Sequence, residues 1–127
     1  MRVALDTNRY VDLCRDEAAV VSTVETAEKV YLPFIVLAEL RAGFAVGSKG
    51  TQNEQTLRKF LAKDGVEVLY ADDGTTRHYA TTYRQLRQQG TPIPTNDMWI
   101  AALVLQHDLA LCARDGHFDR LPQLVRV

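Results

Sequence analysis

Short apolar runs alternate with longer stretches of helical periodicity along the whole chain, and few folds accommodate that rhythm. Val3-Ala4-Leu5, Val30 to Leu32, Glu67 to Tyr70 and Leu109 to Ala113 read as strands, with Leu124 to Val127 as a last edge strand. Between them, capping residues and apolar positions three and four apart mark helices. One follows Asp6 as far as Cys14, one carries Ala18, Val21, Val24 and Ala27 to about Lys29, and one runs from Ile35 to Val46. Gly47-Ser48-Lys49-Gly50 then breaks the chain. Thr51-Gln52-Asn53-Glu54 matches a capping box opening a helix with Leu57, Phe60 and Leu61 on its apolar side. Asp72 and Asp73 are placed to cap a helix ending at Gly90, and a final helix runs from about Asn96 to Gln106, with Thr95 and Asn96 as its capping side chains. The alternation predicts an α/β fold with a central, mostly parallel sheet of four to five strands flanked by helices. At 127 residues and 46% hydrophobic content, the chain is expected to form a single domain over 1–127 with its own core.

Four acids stand where these elements turn into loops or helices. Asp6 follows the first strand, Glu39 lies beside the apolar stripe of its helix, Asp97 opens the last helix, and Asp115 closes the last buried strand. Singly, each has an ordinary explanation: a helix cap, a solvated flank, a first-turn acid, a turn residue. Asp97 resists it most, because on a helix it shares a face with Ile100, Ala101 and Val104. Asp119 is the nearest substitute for Asp115. A parallel sheet gathers residues at its strand ends, and ionised carboxylates near a core are costly unless a cation draws them together. Oxygen donors alone suit Mg²⁺ or Mn²⁺ rather than zinc.

Other chemistries find little support. Cys14 and Cys112 are the only cysteines, which fits a reduced compartment and neither a disulfide framework nor a cysteine zinc site. His78, His107 and His117 lack paired ligand spacing and read as surface residues. Gly47 to Gly50 lacks the spacing of a P-loop, and Ser22 and Ser48 sit in no nucleophile motif. The balance of 15 Lys+Arg against 16 Asp+Glu does not advertise nucleic-acid binding, although setting the four acids aside leaves the remaining surface basic. No stretch approaches the roughly 20 apolar residues of a membrane span, and the start of the chain has no signal-like apolar region, so a cytoplasmic protein without membrane contact is expected.

With these residues in view, the chain resembles a PIN-domain ribonuclease, of the VapC type found as the toxin of bacterial type II toxin–antitoxin pairs. The resemblance is carried by Leu5-Asp6-Thr7-Asn8, Leu37-Ala38-Glu39-Leu40, Pro94-Thr95-Asn96-Asp97-Met98-Trp99-Ile100-Ala101-Ala102 and Cys112-Ala113-Arg114-Asp115-Gly116-His117-Phe118, in register along the chain. It implies a PIN-like three-layer domain in which Asp6, Glu39, Asp97 and Asp115 are the catalytic, metal-holding acids, with Thr7, Asn8 and Asn96 supporting them. It also implies a homodimer, a cognate antitoxin over the active-site groove, and RNA as substrate. Two ions about 4 Å apart would activate water and stabilise both oxygens of an in-line attack on a phosphodiester, leaving a 5′-phosphate and a 3′-hydroxyl. Arg9, Arg41 and Arg114 stand beside the acids as candidate phosphate contacts, and Arg84 and Arg87, with Arg77, lie on a basic helix face. The sequence departs from the common pattern at Ala113, where many relatives carry Thr or Ser. The orientation of Asp115, and whether it meets metal directly or through water, is left open.

Two rivals remain at this stage. A haloacid-dehalogenase-type phosphohydrolase would also place an Asp after its first strand, but its motif wants a second Asp where this chain has Asn8. A non-catalytic PIN-like module binding RNA or protein has Ala113 as its only hint.

Overall fold

In the computed structural model, which describes residues 1–127, the elements follow in the order β1 (Arg2–Leu5), α1 (Thr7–Cys14), α2 (Ala18–Thr26), β2 (Lys29–Pro33), α3 (Phe34–Val46), α4 (Gly50–Leu61), β3 (Val66–Leu69), α5 (Asp73–Gln89), α6 (Thr95–Gln106), β4 (Ala110–Cys112), a 3₁₀ helix (Gly116–Arg120) and β5 (Val125–Arg126). The five strands form one sheet, ordered β3-β2-β1-β4-β5, with every neighbouring pair parallel. Val3, Ala4, Leu5 and Leu111 are fully buried. Strands covered on both faces are apolar throughout rather than alternating, which is why these runs are continuous in sequence.

The order of the strands fixes where a site can form. From β1 the chain works outward through β2 to β3, then crosses back to add β4 and β5 on the other side of β1. Right-handed crossovers place α1 to α4 on one face of the sheet and α5 and α6 on the other. The packing agrees: α1 lies against α2 and α3, α3 against α4, and α5 against α6. The reversal falls between β1 and β4, and a crevice opens there beyond the carboxyl ends of the strands.

Helix α6 differs from the others in being apolar nearly all round, with Met98 and the run Ile100 to Val104 buried. Such a helix belongs inside the molecule. Trp99, next to its first turn, packs against Tyr79 of α5 and Phe34 of α3 with ring centroids 4.4 and 6.4 Å apart. The start of α6 is thereby held against both layers.

Two helix starts differ from the sequence expectation. The Thr51–Glu54 capping box does not form: α4 begins two residues earlier, with Lys49 at the N-cap and no side-chain cap. Gly50 sits so close to the end of α3 that a Cβ there would lie 2.5 Å from the Phe44 carbonyl oxygen. The tight α3–α4 corner therefore sets the start, and Glu54 instead pairs with Arg41 and Arg58. At α6, neither Thr95 nor Asn96 caps; Pro94 occupies the N-cap and both residues lie inside the first turn. Asp72 does cap α5, in a reciprocal box with Thr75 that Gln106 of α6 extends through hydrogen bonds to both.

Candidate functional site

The site begins with strand pairing. Leu5 of β1 is in register with Cys112 of β4, and the next amide, Asp6 N–H, donates to the Cys112 carbonyl at 3.1 Å. Asp6 thus leaves the sheet beside the segment that carries Asp115. Its Oδ1 accepts from the Arg9 amide at 3.0 Å, capping α1. The ordinary explanation for Asp6 is therefore true and does not exhaust it, because the residue is only 6% exposed. Burial pushes its pKa up, and the charges of Asp97 and Asp115 push the same way; the Arg9 amide and guanidinium oppose them.

Asp97 is the third residue of α6 and its side chain is 19% exposed. Its pKa is also raised, by burial first and then by the charges of Asp115 and Glu39, against the hydrogen bond and charge of His117. Glu39 is exposed on α3 and accepts a hydrogen bond from Thr7 Oγ1 at 2.8 Å. Asp97 and Asp115 act on Asp6, and Asp115 and Glu39 act on Asp97, so residues spread over 110 positions of sequence lie within one electrostatic neighbourhood. Asn8 and Asn96 are exposed and make no hydrogen bond to any of the acids.

Asp115 needs no hydroxyl at position 113. Its Oδ1 accepts the His117 amide at 2.9 Å, closing a local turn at the start of the 3₁₀ helix. Arg126 of β5 donates to the Ala113 carbonyl at 2.9 Å and the Asp115 carbonyl at 3.3 Å, while its guanidinium stands over the buried Phe118 ring. Asp119, the alternative acid, is exposed and paired to Arg126 outside the cluster.

His117, read from the sequence as a surface residue, stands against two of these acids. Its Nδ1 stands 2.9 Å from Asp97 Oδ2 and 3.0 Å from Asp115 Oδ1. One donor atom from each of Asp97, Asp115 and His117 lies within 4.8 Å of the others. The signal available in the sequence was its place two residues past a strand-ending acid.

The arginines beside the acids are already engaged. Arg9 pairs with Asp12 and Glu17, and Arg114 reaches the same Asp12 oxygen at 3.1 Å. Asp12, buried and absent from the sequence expectations, therefore ties α1 to the loop that carries Asp115. Arg41 is held by Glu54 in a two-pronged pair. Arg84 and Arg87 are exposed on α5, and Arg87 lines a pocket with Thr95 and Met98 at the start of α6.

The charge at Asp6 carries a stability cost that can be read out. Asp6→Asn keeps an oxygen to accept the Arg9 amide while removing a buried charge and its repulsion from Asp97 and Asp115. Without added metal, the variant is expected to melt a few degrees higher at pH 7.5, the shift about 1 kcal/mol produces in a domain of this size. A lower melting temperature by calorimetry would contradict the cost assigned to that charge.

The geometry can be set beside known proteins. The PIN domain family matches residues 3–124. Ribonuclease VapC1 of Haemophilus influenzae (strain R2866) is 32% identical, over 94% of this chain and 92% of the relative. Toxin FitB of Neisseria gonorrhoeae is 30% identical, over 89% and 87%. Among solved structures, VapBC2 from Rickettsia felis bound to a promoter DNA fragment superposes with a TM-score of 0.88 at 26% identity, covering all of this chain and 98% of that one. A five-stranded parallel sheet with acids gathered at its β1–β4 crevice, matched by the family across nearly the whole chain, makes this protein a member of the PIN-domain family.

Proposed function

We propose that this chain is an endoribonuclease, the toxin of a toxin–antitoxin pair, which hydrolyses RNA phosphodiester bonds using Mg²⁺ or Mn²⁺ held by Asp6, Glu39, Asp97 and Asp115. The observation that carries the reading is the convergence of these acids on the switch point of the sheet, with Asp6 and Asp97 driven above their ordinary pKa first by burial and then by neighbouring carboxylates of the cluster. Such a cluster fits a hard divalent cation, since oxygen donors that repel one another gain most from it. When bound, the ion supplies Lewis-acid stabilisation and lowers the pKa of water. The chain's own part is to hold the donors still. Asp6 is fixed by the Arg9 amide, Glu39 by Thr7, and Asp115 by its own turn and Arg126.

The relatives named as ribonucleases supply the RNA substrate, and the VapBC complexes of Rickettsia felis and Haemophilus influenzae supply the antitoxin partner. A homodimer and a bacterial cytoplasmic location belong to the same reading, and no helix is long and apolar enough to cross a membrane. The hint of a non-catalytic module rested on Ala113, and Asp115 is oriented without help from that side chain. End-group analysis of RNA cleaved with Mn²⁺ tests the proposal. Water attack leaves 5′-phosphates, whereas 2′,3′-cyclic phosphates would exclude it.

Arg84 and Arg87, the unpaired-by-acid cations of α5 nearest the start of α6 in sequence order, are the phosphate contacts this reading favours. Together, Arg84→Ala and Arg87→Ala are expected to weaken RNA binding and flatten the salt dependence by about 1.4 units of slope at most, roughly 0.7 per single-strand phosphate contact. Filter binding between low and moderate salt checks this; an unchanged slope removes both residues from the interface.

A further inference from the structure

We propose that His117 is itself a ligand of the bound divalent ion, through Nδ1, and that it shifts the preference of the site from Mg²⁺ toward Mn²⁺. The inference rests on the metal-dependent reading above and deepens it. Both Asp97 Oδ2 and Asp115 Oδ1 stand within 3.0 Å of this one nitrogen. Ligands at right angles around an ion at about 2.1 Å are about 3.0 Å apart, so the nitrogen stands from each oxygen at the spacing of neighbouring corners of an octahedron. An ion shared by these two oxygens on the side that faces the ring either binds the nitrogen or displaces the ring.

Displacement is disfavoured by what holds His117. Its amide is bonded to Asp115 Oδ1, and the next residue, Phe118, is 1% exposed and anchors the 3₁₀ helix in the core. Arg126 pins the carbonyls on the approach to that helix. Nε2 makes no hydrogen bond within the chain, so the ring is free to carry its proton there and present Nδ1 as a lone pair. The alternative, a histidine serving only as a hydrogen-bond bridge between two acids, predicts that the ring leaves when metal arrives. Imidazole nitrogen is a ligand for first-row transition ions, the series that begins with Mn²⁺, while Mg²⁺ favours an all-oxygen shell.

Pulsed EPR of the full chain loaded with Mn²⁺ separates the two. Direct ligation gives ¹⁴N modulation in the electron spin echo, converted to a ¹⁵N pattern by labelling the histidines and lost in His117→Gln. In parallel, the ratio of Mn²⁺ to Mg²⁺ affinity, read by competition, is expected to fall about tenfold in His117→Gln, at the lower end of what a ligand-shell change produces. Mn²⁺ bound without nitrogen modulation in the wild type overturns the ligand assignment and leaves the nuclease reading standing. No Mn²⁺ binding, with Asp97→Asn indistinguishable from wild type, overturns both.

Discussion

Asp97→Asn is expected to reduce RNA cleavage by about 10³-fold with the fold intact. A metal ligand of this kind contributes several kcal/mol of transition-state stabilisation, and each 1.36 kcal/mol is worth tenfold in rate. The substitution keeps the shape of the side chain at the start of a buried helix, so packing around Trp99 and Ile100 is undisturbed. It forfeits the interaction of a first-turn acid with the helix dipole, about 0.3–1 kcal/mol, together with the carboxylate's charge toward His117, and relieves repulsion from Asp115 and Glu39. Turnover measured alongside the circular dichroism melt separates the two effects. A rate within tenfold of wild type would remove Asp97 from the chemistry.

Chelation is the second large effect. EDTA should abolish cleavage, and Mn²⁺ returned at 100 times its dissociation constant should stabilise the fold by about 2.7 kcal/mol, raising the melting temperature by about 10 °C. The pH dependence has a definite sign. Asp6 and Asp97 hold their protons more tightly folded than unfolded, so in metal-free protein their contribution to stability is present in acid and is lost as pH rises from the ordinary 3.8 through their raised values. Metal competes with those protons. Its stabilisation should therefore grow from about pH 4, near the ordinary 3.8, to pH 7.5 as the metal-free protein loses this contribution. Equal metal-induced shifts at both pH values would mean that these two carboxyls do not take part.

What could be read from the sequence was what depends on periodicity. The buried strands announced themselves as continuous apolar runs, and Asp6, Asp97 and Asp115 were visible because each interrupts or closes such a run. Partners across the fold were not visible. Arg9 and Arg114 flank acids in sequence and so were assigned to phosphates, but each finds Asp12, whose burial follows from the packing of α1 against its neighbours. His117 and Arg126 enter the site only because β4 pairs with β1 on one side and β5 on the other, which places the loop after Cys112 beside Asp6 and gives it a guanidinium brace. The capping box at Thr51 satisfied the local rule, and the close approach of Gly50 to Phe44 overrode it.

Anomalous diffraction from crystals grown with Mn²⁺ and collected near the manganese edge addresses the central claim most directly. A peak within coordination distance of both Asp6 and Asp97 carboxylates is the expected result. Manganese found only elsewhere on the surface, with those two side chains bare at saturating ion, would contradict it.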